Sequence, residues 1–232
     1  MVTAIRWLKS ALHPHALTLD DDCIAAASDP AALTLAVAGL RLPGFIHHLR
    51  VVLPAGMDIS PFSACGFRPV RQTRLVALDP VGFAATLPDL PAGWSAHWRR
   101  PVDGADWPGW YAAHWDHYAR MHRSNPPRDP GPQGRALVFG GDDLQESLFV
   151  TDAKGALAGF GSLRTGQELG WLDSTDYRSQ QVPAILGAVL RRAAASGWTS
   201  ATCEVDDDHR ALWDCLRDAP DGARYVTLQR AT

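Results

Sequence analysis

The 232-residue chain predicts a mixed α+β fold, and three observations carry that expectation. Segment 178–198, RSQQVPAILGAVLRRAAASGW, reads as a long helix set between two strand-like stretches, QELGWLDST before it and TSATCEV (199–205) after it. ESLFVTDAKGALAGFGSLRT reads as two strands joined by a turn around Asp152 to Gly155. The chain also repeats itself faintly. Pro30-Ala31, Leu33 and Gly44 recur as Pro183-Ala184, Leu186 and Gly197, a constant difference of 153 residues (183 less 30, or 197 less 44).

Taken in order, Pro30 opens a helix expected to close at Gly44. Proline suits a first turn, whose N–H would lack an intrahelical partner anyway, and glycine tolerates the left-handed conformation that ends helices. HHLRVVL (47–53) follows as a strand, then a short helix and a last strand, with Arg71 and Leu75 matching Arg224 and Leu228 at the same difference. DPVGFAATLPDLPAG (79–93) is punctuated by proline and reads as a linker into a strand, GWSAHWRR. Asp106 to His122 reads as an aromatic helix with Asp106 as its cap, and SNPPRDPGPQG (124–134) as a loop. The helix of 178–197 and the strand at 199–205 complete a strand-helix-strand unit.

Composition excludes several classes. Net charge is −3, with 25 acidic and 22 basic residues in mixed order, so no basic footprint points to nucleic acid or an anionic membrane. Cys23, Cys65, Cys203 and Cys215 are far apart and form no Cys-x-x-Cys pair, so neither a zinc site nor a disulfide framework is expected. The N-terminus has no apolar core of a signal peptide, and no 18-residue apolar span follows. A cytoplasmic protein is the expectation.

Segment 178–198 also lies on a family motif: Arg or Gln, two residues, Gly, one residue, Gly or Ala, then a long helix ending in glycine. Arg178 fits, whereas the two glycine positions hold Gln181 and Pro183. From Leu148 to Thr232 the chain resembles, element by element, the acyl-CoA-binding half of the GCN5-related N-acetyltransferase (GNAT) superfamily. The resemblance implies a mixed, mostly antiparallel sheet flanked by helices. Together with the repeat at 153 residues, it gives a truncated GNAT-like copy over 1–79, an N-terminal half-repeat, ahead of a complete domain over 80–232. Acetyl-CoA is the co-substrate it implies, with the pantetheine arm entering between two splayed strands like an added strand. The pyrophosphate would sit on the long helix's N-terminus, where free N–H groups and the helix dipole favour negative charge. Arg178 and the amides of Ser179, Gln180, Gln181 and Val182 would contact it, and the backbone around Leu172 would hold the thioester oxyanion. Gln181 brings a side chain where glycine admits phosphate, and Pro183 removes a donor. The family's acid is a tyrosine; Trp213 stands there in DDDHRALWDCL (206–216), and Phe62 in the first copy.

Acetyl transfer also needs a base. Asp173, at the end of the strand before the cofactor helix, is the best-placed candidate, with Glu168, Asp206 and His209 as others. The aromatic helix carries Trp107, Trp110, Tyr111, His114, Tyr118 and Met121 at helical spacing, and His114 among them could orient or deprotonate an amine. His114 and His117 are three apart and could share a metal, but with no carboxylate on the same face and no HExxH pattern no metal is expected. Two functions remain: an acyl-CoA-dependent N-acyltransferase acting on a small-molecule or peptide amine, or a non-catalytic relative binding a CoA-like ligand or a protein partner. In the second, the truncated copy serves as a docking or homodimer module.

Overall fold

The computed structural model describes residues 5–100, 107–176 and 179–232, which fall into two compact units. The fold is mixed α+β, with a mostly antiparallel sheet flanked by helices. Among the described residues no helix is long and apolar enough to cross a membrane. The first unit comprises 1–74, 122–128 and 223–232, and the second comprises 75–121 and 129–222. The units therefore interleave in sequence: two segments beyond residue 80 belong to the first.

In the first unit, β1 (Trp7–Lys9) pairs antiparallel with β2 (Ala16–Leu19), and β2 runs parallel to β3 (His48–Pro54). Beyond β3 come β11 (Asp221–Ala231), antiparallel to it, and β4 (Arg68–Leu78). Alternation along β3 sends Leu49, Val51 and Leu53 into a core with Leu33, Phe62, Phe67 and Leu228. Three helices supply the rest of that core: α1 (Ile24–Ala27), α2 (Pro30–Ala38) and α3 (Ser60–Ala64). Asp29 caps α2, its carboxylate accepting from Ala31 N at 2.9 Å. The helix stops at Ala38, short of the Gly44 expected to close it, and Gly39 at its end keeps a right-handed backbone.

The second unit holds the C-terminal end of β4, residues 75–78, followed in spatial order by β10 (Ala201–Asp206), β8 (Glu168–Leu169), β7 (Leu157–Arg164), β6 (Leu144–Thr151) and β5 (Ser95–Arg99). The β6–β7 hairpin forms where the alternation predicts it. Asp152 Oδ1 accepts from Lys154 N and Ala156 N, and Gly155 takes φ +80° in the turn. Helix α7 (Val182–Ala195) lies on one face of β7 and α5 (Pro108–Met121) on the other. Gly159 and Gly161 permit the close approach of α7: an added Cβ would come within 2.6 Å of Ile185 Cδ1 and 3.0 Å of Val189 Cγ2. The buried face of α7, Val182, Ile185, Leu186, Val189 and Leu190, contributes about 1.5–3 kcal/mol per side chain. Gly197, at φ +83°, follows the helix as its left-handed terminator.

Three stretches differ from expectation. The presumed linker 79–93 contains α4 (Pro80–Ala84), capped by Asp79 through Val81 N. The presumed loop 124–134 gives way to α6 (Gly131–Phe139), because Pro132 lies in its first turn and RALVF continues as helix former. QELGWLDST is broken into β8 and a separate β9 (Asp173–Ser174). The order α2, β3, α3, β4 is matched by α7, β10, α8 (Arg210–Cys215), β11, and the difference of 153 carries His48 onto Ala201 and Arg68 onto Asp221, the first residues of the matching strands.

Candidate active site

The break between β8 and β9 builds the site. Leu163 pairs with Leu169, but Phe160 pairs with Asp173, so three residues of one strand oppose two of β7 and a β-bulge falls at 170–172. Gly170 permits it: its N–H bonds to Ser162 O at 2.9 Å, and a Cβ there would overlap Ser162 Oγ. Parallel pairing with β10 ends in the same place. Only Thr202↔Glu168 and Cys203↔Leu169 are in register; beyond them β10 continues to Asp206 while residues 173–174 stay on β7. The two strands thus part at their C-terminal ends. Thr175 gives its N–H to Ala158 O and Ser174 gives its own to Asp173 Oδ1, whereas the N–H of Leu172 has no partner among the described residues.

Helix α7 starts below this gap. A 3-10 turn, Ser179–Gln181, leads into it, Gln181 offers no side-chain cap, and Pro183 occupies the first turn. Val182 is wholly buried, while Gln180 is exposed. Arg178 lies outside the described residues. Trp213 is on α8, half-buried, and Phe62 is fully enclosed in the first unit's core.

On the other face, α5 buries Trp110, His114 and His117. Trp110 donates Nε1–H to Leu148 O at 3.0 Å and anchors the helix across β6. His114 is enclosed between Trp110 and Phe160, ring centroids 3.7 and 4.2 Å away, with Nδ1 donating to Trp110 O. Burial holds it well below the ordinary histidine range, hence neutral. His114 and Asp173, the two residues expected to act, are not brought into hydrogen-bond contact.

Asp173 instead meets His117. His117 Nδ1 lies 2.9 Å from Asp173 Oδ2, the Arg120 guanidinium bonds the same oxygen, and His209 Nε2 stands 3.7 Å from Oδ1. The carboxylate is only 3% exposed. Burial alone would raise its pKa, but His117 and the adjacent His209 outweigh that and hold it well below the usual carboxylate range. Burial also pushes His117 down, to about 4, against the upward pull of Asp173. Within the bulge Trp171 stacks on Tyr118, ring centroids 4.7 Å apart and 16° between planes.

Ligand atoms of His117, Asp173 and His209 lie within 4.8 Å of one another, near enough for one metal ion. The carboxylate supplying the third ligand comes from β9, a neighbour that the helical face of α5 could not reveal. Arg120, however, already sets a cation against Asp173 Oδ2 and lies 3.4 Å from His117 Nδ1, so a divalent ion would face a guanidinium across its own ligands. The donor set fits a hydrogen-bonded carboxylate better than a metal centre. Sequence reasoning named His209 as a lesser candidate, gave His117 only a metal reading, and overlooked Arg120. The visible signal was the i, i+3 spacing of His117 and Arg120 on α5.

No family model matches the chain, and no curated protein does. Solved structures are similar in fold. A GCN5-related N-acetyltransferase from Sphaerobacter thermophilus superposes with TM-score 0.61 at 17% identity, over 98% of this chain and 76% of that one. A tandem GNAT protein from the clavulanic acid biosynthesis pathway gives 0.56 at 16% identity, over 98% and 78%. At such identities the likeness is one of architecture: the fold is GNAT-like.

Proposed function

We propose that the protein is an acyl-CoA-dependent N-acyltransferase that transfers an acyl group, most simply acetyl, from CoA to an amine by direct attack on the thioester. The observation that carries this reading is that the β8–β10 pairing ends at Leu169 and Cys203, after which β9 stays on β7 and parts from β10. The Leu172 N–H lies where β10 has left its neighbour, an edge that suits the amide-bearing pantetheine arm. The N-terminus of α7, reached through the Ser179–Gln181 turn, suits the pyrophosphate through its dipole, although Pro183 supplies no N–H there. Under this reading the acetyl oxygen rests on Leu172 N–H, and Ser179, Gln180, Gln181 and Val182, with Arg178, line the phosphate end.

We further read 1–79 as a truncated copy of the later domain, on the matching element order and the strand starts related by 153 residues. Its last strand, β4, ends in the second unit, and the later copy's last strand, β11, lies beside β3 in the first. A cytoplasmic location and a homodimer belong to the same reading.

A second reading has its own support: Gln181 and Pro183 replace the family's glycines, and Trp213 and Phe62 its tyrosine, which favours a module that binds CoA without turnover. Calorimetric titration with acetyl-CoA, desulfo-CoA and CoA, together with thiol release in the presence of tyramine, spermidine or a lysine peptide, separates the two. Binding with thiol release supports the enzyme, binding without it the module, and no binding removes both.

A further inference from the structure

Three side chains near the gap carry proton chemistry: His114, Asp173 and His117. His114 is sealed by Trp110 and Phe160, with Nδ1 committed to a backbone carbonyl and Nε2 buried. Asp173 has Oδ2 bonded by His117 and Arg120 and Oδ1 by Ser174 N, so its lone pairs are engaged. His117 differs. An ionised carboxylate can only accept, so Nδ1 must carry the proton and Nε2 the lone pair. The ring stands edge-on to Trp171 and His209, centroids 5.7 and 4.9 Å away, between the bulge and the residue that opens α8 after β10. It therefore lies where the two strands part.

We infer that His117, held by Asp173 in the tautomer with Nε2 free, accepts the proton of the incoming amine, and that Asp173 and Arg120 are positioning residues. This rests on the acyltransferase reading. The amine nitrogen bonds to the thioester carbon, the C=O pair moves onto oxygen, and the nitrogen, now cationic, passes a proton to His117 Nε2. The oxyanion then collapses, the C–S bond breaks with its pair on sulfur, and His117 returns the proton to the thiolate or to water. The products are the amide and CoA thiol. The charged and titratable groups facing His117 are Asp173 from β9, Arg120 and His114 on α5, and His209 at the start of α8. Their balance keeps the ring neutral and ready at physiological pH.

The test uses the full chain and His117→Asn, which keeps an N–H donor toward Asp173 and removes the titrating lone pair. With acetyl-CoA and the three amine acceptors above, kcat/KM should fall by about 10²–10³-fold, within the contribution of a positioned base. The acetyl-CoA Kd should change by less than about twofold, since the ring is not a cofactor contact. Asp173→Asn should lose comparably, because its amide can donate to Nδ1 and impose the wrong tautomer. Independently of any acceptor, ring ¹⁵N spectra of the wild type should show His117 neutral and protonated on Nδ1 between about pH 5.5 and 8. Failure of the wild type to bind acetyl-CoA overturns the acyltransferase reading. Wild type that binds but releases no thiol, undiminished turnover in His117→Asn, a proton on Nε2, or turnover that requires added zinc each overturns the role of His117.

Discussion

Lowering the pH from 7.5 to 5 perturbs one group in a calculable way. His117 titrates near 4 in the folded protein, against an ordinary value of 6.5. Because the folded value is depressed, the stabilising contribution is complete above 6.5 and is lost as pH falls toward 4: the unfolded chain takes up a proton that the folded chain refuses. At pH 5 the unfolded histidine is almost wholly protonated and the folded one about one-tenth so, which costs roughly 2 kcal/mol. For a chain of this length that corresponds to about 4–8 °C in Tm. Asp173 stays out of this window, since its depressed pKa matters only below its ordinary value of 3.8. His13, His48 and His114 are also lowered, chiefly by burial, and steepen the pH dependence of any variant equally. The measurement is therefore a difference: urea unfolding of wild type and His117→Asn at both pH values. Wild type should lose roughly 2 kcal/mol more than the variant between pH 7.5 and 5. Parallel losses would show that His117 is not held neutral and would refute the electrostatic picture of the cluster.

Other perturbations read the rest of the site. Pro183→Ala returns one N–H to the first turn of α7, and a hydrogen bond to a charged phosphate is worth about 1.5–3 kcal/mol, so acetyl-CoA should bind about tenfold or more tightly by calorimetry; an unchanged Kd would mean the pyrophosphate does not rest there. Gly159→Ala places a methyl 2.6 Å from Ile185 Cδ1 and 3.3 Å from Asp173 O, and should lower stability by about 1–3 kcal/mol in urea; an unaltered midpoint would show that Ile185 simply turns aside. Arg192→Leu strips Glu146 of its paired bonds at 2.6 and 2.7 Å, leaving Arg100 at 3.6 Å. The loss should be near the lower end of about 1–3 kcal/mol because Arg192 is over one-third exposed, and it should shrink in acid as Glu146 takes up a proton; a pH-independent loss would point to packing of the arginine stem instead.

What the sequence determined by itself is whatever a few neighbouring residues decide. The alternation of 144–164, the turn at Asp152 to Gly155, and the apolar face of α7 between Pro183 and Gly197 are local signals, and the hairpin and helix stand where they put them. Even local reading failed where proline and glycine were taken only as breakers: Pro80 and Pro132 lie in the first turns of α4 and α6, which need no N–H from them. The cluster at the strand gap was decided by tertiary structure alone. His117 and Asp173 are 56 positions apart, and their meeting depends on one extra residue at 170–172, since a shift of one residue turns a side chain to the opposite face of a sheet. Periodicity cannot register that insertion within so short a stretch, nor tell His114 from His117 on one helix. The fold separates them: Phe160 and Trp110 close over the first, while the bulge brings a carboxylate to the second.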